Sequence, residues 1–137
     1  MNTHAVRVHA IGGPEALCFE AVDLPEPAAG EVRLAQTAIG LNFIDVYHRT
    51  GLYPLPGLMA EPAEAVVLGL EAAAVVEELG AGVEDLAVGD RVGYASRPIG
   101  AYAEQRNMPA DRLLLLPQGM SDEQAAASML KGLTAWY

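Results

Sequence analysis

The feature that most constrains this chain is the spacing of its breakers. Alternating apolar and polar runs are cut again and again by Gly and Pro clusters. These are Gly12-Gly13-Pro14, Pro25-Glu26-Pro27 with Gly30, the Pro-rich stretch 53–62, Gly80-Ala81-Gly82 and Val88-Gly89-Asp90. Pro removes a backbone donor and Gly adds backbone freedom, so long helices do not survive such punctuation. Short strands joined by turns do, which argues for a mainly β barrel or sandwich. The alternation predicts strands over 4–11, 17–24, 31–40, 91–95, 101–107 and 113–116. Residues 63–70 are ambiguous. Residues 71–79 (EAAAVVEEL) are mixed: the Ala content suits a helix, the Val pair and the following Gly turn suit a strand.

Two segments break the period. Residues 42–50 start with Asn, carry Asp at the fourth position and stop before Gly51, as a short capped helix would. Ser121 is followed three residues later by Gln124, a capping box that opens a helix running through AAASMLKGLTAWY. The expected layout is one domain over 1–120 and the start of an interdomain helix over 121–137.

Composition closes off several functions. Apolar residues make up 52% and charged residues 19% of the chain, which is not a disordered composition. The net charge of −10 repels phosphates, so neither nucleic acid nor an anionic membrane is an expected partner. The longest apolar run, Leu113 to Leu116, is far too short to span a bilayer. The single cysteine, Cys18, allows no internal disulfide and no Cys-based zinc site, and His4, His9 and His48 are scattered. A reducing cytoplasm is the expected location. Gly80-Ala81-Gly82 starts like a dinucleotide fingerprint, but Asp85 stands where the third Gly is needed. No other stretch supplies a phosphate cradle.

Chemistry-bearing groups crowd into 39–54, IGLNFIDVYHRTGLYP. Asn42, Asp45, Tyr47 and Tyr53 offer amide, carboxylate and phenol groups suited to binding a polar ring or polarising a carbonyl. Asn42 and Asp45 equally suit a helix cap, with both Tyr rings packed as half-buried bodies. His48 suits an acid or base near pH 7 or, with Arg49, a solvated face beside a loop, since nothing in the spacing supplies His48 with a partner. Glu71 suits either a pocket rim or the surface.

The pieces GGPEAL at 12–17, AIGLNFIDVYHRTGLYP at 38–54, GLEAAAVVEELGAGV at 69–83, GDRVGYAS at 89–96, GAYAE at 100–104 and AAASMLKGLTAWY at 125–137 occur in an order that resembles one family. It is the zinc-free, zeta-crystallin-like quinone oxidoreductases of the medium-chain dehydrogenase/reductase superfamily, in their N-terminal GroES-like domain. The resemblance implies a partly open β-barrel and favours the strand reading of 71–79. It implies NADPH-dependent, metal-free hydride transfer to a quinone or other conjugated carbonyl, with an enoyl-thioester reductase as the alternative enzyme. A third alternative is a non-enzymatic GroES-like binding or assembly module. It places Asn42, Asp45, Tyr47, Lys131 and Thr134 toward the cofactor, Tyr53 and Glu71 at the substrate side and cleft rim, and Tyr53 with Asn42 in catalysis. Asn42 and Leu70 stand where zinc-dependent relatives carry Cys and His. The Rossmann domain that holds NADPH in the family is absent from this sequence, so the chain is expected to be inactive by itself. It is also expected to self-associate, as a homo-oligomer or through an exposed interdomain face that includes Met129, Leu133 and Trp136. The loop over 55–68 is longer than in relatives, with Leu68 in place of an expected Pro.

Overall fold

The computed structural model describes residues 1–137. Eight strands form two open sheets. The smaller has the order β2-β1-β4, from β1 (Asn2–Val8), β2 (Leu17–Asp23) and β4 (Val66–Val67). The larger has the order β7-β3-β5-β6-β8, from β3 (Glu31–Gly40), β5 (Glu71–Leu79), β6 (Arg91–Ala95), β7 (Gln105–Pro109) and β8 (Leu114–Leu115). All pairings are antiparallel. The sheets meet at a bridge between Ala5 and Ala103 but do not close into a full barrel.

The expected architecture is present, and β3 and β6 occupy the predicted residues. Residues 71–79 are strand: Ala72, Ala73, Ala74 and Val76 lie in the centre of the larger sheet, where small side chains let elements approach on both faces. One strand sits later than expected. The alternation predicts 101–107, but the paired strand is Gln105–Pro109. The amides of 101–104 are committed elsewhere: Ala101 donates to Gly69, Tyr102 to Leu68 and Glu104 to His4. That segment stitches the sheets together rather than extending one of them.

The main core joins Val32, Leu34, Val76, Val92, Tyr94 and Met108, drawn from β3, β5, β6 and β7 of the larger sheet, and their neighbours. Val8, Leu55, Leu58 and Leu68 form a second cluster. The long loop is thus anchored by its own apolar side chains, Leu68 among them. Two helices complete the fold. α1 (Phe43–Thr50) ends at Gly51, whose φ of 81° is the left-handed conformation that a Gly stop provides. α2 (Asp122–Trp136) starts at the expected capping box, with reciprocal bonds between Ser121 and Gln124 of 3.1 and 3.0 Å. It lays Ala125 and Ala126 against Ala73. No helix is long and apolar enough to cross a membrane.

Candidate active site

The site forms where the end of β3, the first turn of α1, the start of β5 and the middle of α2 converge. Its centre is Glu71, whose residue is 0% exposed. The surface reading of Glu71 is therefore overturned. A buried carboxylate needs donors, and Glu71 has them. Asn42 Nδ2 donates to its Oε2 at 2.7 Å and the Leu130 backbone N–H to its Oε1 at 2.8 Å. The Lys131 ammonium stands 3.9 Å from Oε2. Lys131 Nζ also donates to Asn42 Oδ1 at 3.1 Å and to the Leu41 carbonyl at 3.2 Å. Residues 42, 71 and 131 are distant in sequence and joined here in one cluster. Gly40 makes the approach possible, since a Cβ there would lie 2.8 Å from Glu71 Oε2 and would also strike the Ala126 carbonyl.

The cluster leaves two donors uncommitted. The Asn42 amide has two protons and uses one on Glu71; the Lys131 ammonium has three and uses two on Leu41 and Asn42. A cavity of about 390 Å³ runs beside Lys131, lined by Ala38, Ile39, Gly40, Leu41, Ala126 and Ala127, with Glu123 and Lys131 as its charged groups.

Asp45 is buried and does serve as a cap: its Oδ2 accepts the Asn42 backbone N–H at 2.9 Å. The same oxygen accepts the Tyr102 hydroxyl at 2.7 Å, a partner that lies 57 residues away in the chain. Burial, and then the bond to Asp45, push the Tyr102 phenol far above its ordinary range, so it stays a neutral donor. Asp45 Oδ1 is buried without a partner.

Tyr47 is half-buried and meets Tyr53 edge-on, with ring centroids 5.2 Å apart. Tyr53 is 49% exposed, which leaves its phenol open to a ligand rather than packed away. His48 contradicts its reading as a solvated residue. It is 1% exposed, because helical periodicity turns position 48 inward with Asp45 while Arg49 reaches back to the Gly12 carbonyl at 2.7 Å. Neither ring nitrogen has a partner. Burial, and next the Arg97 charge, depress its pKa, with Asp45 partly opposing. Thr134 is not brought to the cluster; it is exposed, and its hydroxyl donates to the Leu130 carbonyl one turn back. Met129, expected on the exposed face, is half-buried with its sulfur beside Gly93. No three His, Cys, Asp or Glu side chains gather as metal ligands would.

Tyr102 is the residue that sequence reasoning missed. Its only local signal is the GAYAE motif, and nothing in that motif points to Asp45. The Lys131–Asn42–Glu71 link was equally invisible to spacing, because sheet register decides it.

Residues 28–118 match the alcohol dehydrogenase GroES-like domain, and the chain belongs to that family. Reductases are among the similar proteins. The chain is 49% identical over 132 residues to a quinone oxidoreductase of Salmonella typhimurium, covering 96% of this chain and 38% of that protein. It is 47% identical over 135 residues to a 2-haloacrylate reductase of a Burkholderia species, covering 97% and 40%. The crystal structure of Escherichia coli quinone oxidoreductase complexed with NADPH superposes with a TM-score of 0.89 at 45% identity, over 98% of this chain and 39% of that one. The chain thus spans about two-fifths of the length of these relatives.

Proposed function

We propose that this chain is the substrate-side part of an NADPH-dependent quinone oxidoreductase, acting without metal on a quinone or other conjugated carbonyl. The observation that carries the reading is the pair of uncommitted donors, one on Asn42 and one on Lys131, held by a fully buried Glu71. Donors fixed beforehand can stabilise an oxygen that gains negative charge without reorganising during the reaction. The relatives' printed activities supply the substrate class.

The residues fit only one end of the dinucleotide. The cavity beside Lys131 has walls that are apolar except for Glu123, suited to a flat ring, and a free ammonium proton for a carboxamide or ribose oxygen. Nothing in the sequence matches the glycine-rich turn that cradles phosphates. When bound, the reduced nicotinamide supplies the hydride. Asn42 and Lys131 orient the ring and the accepting carbonyl. Tyr47 holds the Tyr53 ring edge-on, and the Tyr53 hydroxyl donates the proton that completes reduction of a conjugated carbonyl. Asp45 fixes the backbone at Asn42.

The domain division is part of the proposal: 1–120 forms the catalytic domain, and α2 begins the connection to a cofactor domain. The proposed chain alone is inactive and binds NADPH weakly. Calorimetric titration with NADPH tests this. Millimolar or weaker affinity is expected, whereas micromolar binding and turnover of a quinone by this chain would overturn the half-site reading.

A further inference from the structure

Tyr102 connects the place where the sheets are stitched to the first turn of α1. Its backbone N–H donates to Leu68, and its carbonyl accepts from Val6 at 2.7 Å. Its hydroxyl reaches Asp45 Oδ2 at 2.7 Å. That oxygen also accepts the Asn42 backbone N–H, and the Asn42 side chain goes on to Glu71 and Lys131. The hydrogen bonds form one unbroken line, from Tyr102 through Asp45 and Asn42 to the middle of α2.

The carboxylate at its centre is poorly furnished. Asp45 is 3% exposed, has no ion pair with any Lys or Arg, and one of its two oxygens has no partner. Its other oxygen has two donors, the Asn42 amide and the Tyr102 phenol. Removing the phenol would leave a buried carboxylate with one neutral donor. Such a group draws in water or turns toward it, and the Asn42 backbone turns with it.

We propose that Tyr102 is a positioning residue for the site: its hydroxyl holds Asp45 in the orientation that fixes Asn42, and through Asn42 the donors offered to substrate. The proposal rests on the reading of Asn42 and Lys131 as donors that face the nicotinamide and the substrate. Tyr102 itself acts at a distance from the reacting atoms. Its ring also lines two apolar cavities over Leu17 and Leu41, so a Phe replacement keeps the packing and removes only the hydroxyl.

The test uses this chain and nuclear magnetic resonance. In Tyr102→Phe the Asn42 side-chain amide resonances are expected to move or broaden, and the Asn42 backbone amide to exchange with solvent about tenfold faster or more, as loss of a bond to a charged group would cause. Tyr94→Phe is the control. The Tyr94 hydroxyl serves Gln36 and Arg106, so this variant is expected to lower Tm while leaving Asn42 unchanged. If Tyr102→Phe lowers Tm but Asn42 keeps its wild-type resonances and exchange rate, Tyr102 only packs and the proposal fails. If Tyr102→Phe does not fold, Asp45→Asn takes its place: unchanged protection of the Asn42 backbone amide in that variant overturns the proposal equally. Titration of the wild-type chain with reduced nicotinamide mononucleotide judges the underlying reading separately. Shifts at Asn42 and Lys131 support that reading, and their absence at saturating concentrations defeats it without touching the Tyr102–Asn42 coupling.

Discussion

At the scale of single residues, Glu71 shows why burial matters more than charge. A carboxylate held by an amide, a backbone N–H and an ammonium is stable only while all three are in place. Glu71→Gln keeps the volume but sets an NH2 group against a donor. It is expected to cost about 2 kcal/mol, read as a lower urea midpoint at unchanged slope. In the proposed reaction Tyr53 belongs to the chemistry rather than the fold. In a protein carrying the cofactor domain, Tyr53→Phe is expected to slow an enoyl substrate by a factor on the order of 10² and a quinone much less. Equal loss on both would remove it as proton donor. His48 predicts a pH effect. Its folded pKa lies below the unfolded value, so the unfolded chain takes up the proton first. Its stabilising contribution is whole above about pH 6.5 and is lost as pH falls toward the folded value. His48→Gln is expected to flatten the fall in Tm between neutral and mildly acidic pH relative to wild type; an unchanged slope would mean that carboxylates alone set it. The sequence made Asn42, Asp45 and Tyr53 visible because they crowd into one stretch. It hid the burial of His48 and Glu71, since a side chain's inward direction depends on what packs over it.

At the scale of elements, the turn residues wrote most of the boundaries. β3 lies between Gly30 and the end of its alternation at Gly40, and α1 lies between Asn42 and Gly51, both as local chemistry dictates. β7 shows the limit of that reading. Alternation over 101–107 is real, but the segment's first amides go to Leu68 and Gly69, in the link between β4 and β5, and to His4 of β1, a long-range choice that no local pattern records. α2 is held at its middle by the Glu71 cluster and at its start by a cap and an ion pair that local changes can remove. The Ser121 hydroxyl accepts the Gln124 N–H at 3.1 Å, and Arg91 Nε donates to Asp122 Oδ1 at 3.0 Å. The Arg91 bonds, with Thr37 adding to them, hold the Asp122 carboxyl below the usual carboxylate range. Ser121→Ala is expected to cost about 1 kcal/mol and to raise amide exchange first in the opening turn of α2. Exchange that rises uniformly along the chain would show that the helix is held by its alanine face instead.

At the scale of the whole molecule, two opposing properties meet at the end of α2. The chain carries a net charge of −10, which keeps copies apart at low salt. The last turns of α2 nevertheless present Leu133, Trp136 and Tyr137 to solvent, with Trp136 92% exposed. Trp136 makes almost no use of its apolar area within this fold, so burying it against another surface is favourable. In the proposed enzyme a cofactor domain covers this face; in this chain a second copy can. Electrostatics then gives the sign of the salt effect. Raising ionic strength from about 0.01 M to about 0.15 M shortens the Debye length from about 30 Å to about 8 Å, which screens repulsion and leaves apolar contact intact. Sedimentation velocity is expected to show association that strengthens with both protein concentration and salt. Trp136→Glu is expected to leave the chain monomeric throughout, with the Asn42 resonances unmoved because the substitution lies beyond the Glu71 cluster. Association that survives Trp136→Glu would place the contact elsewhere, with exposed Leu114 and Leu115 on the edge strand β8 as the next surface to test.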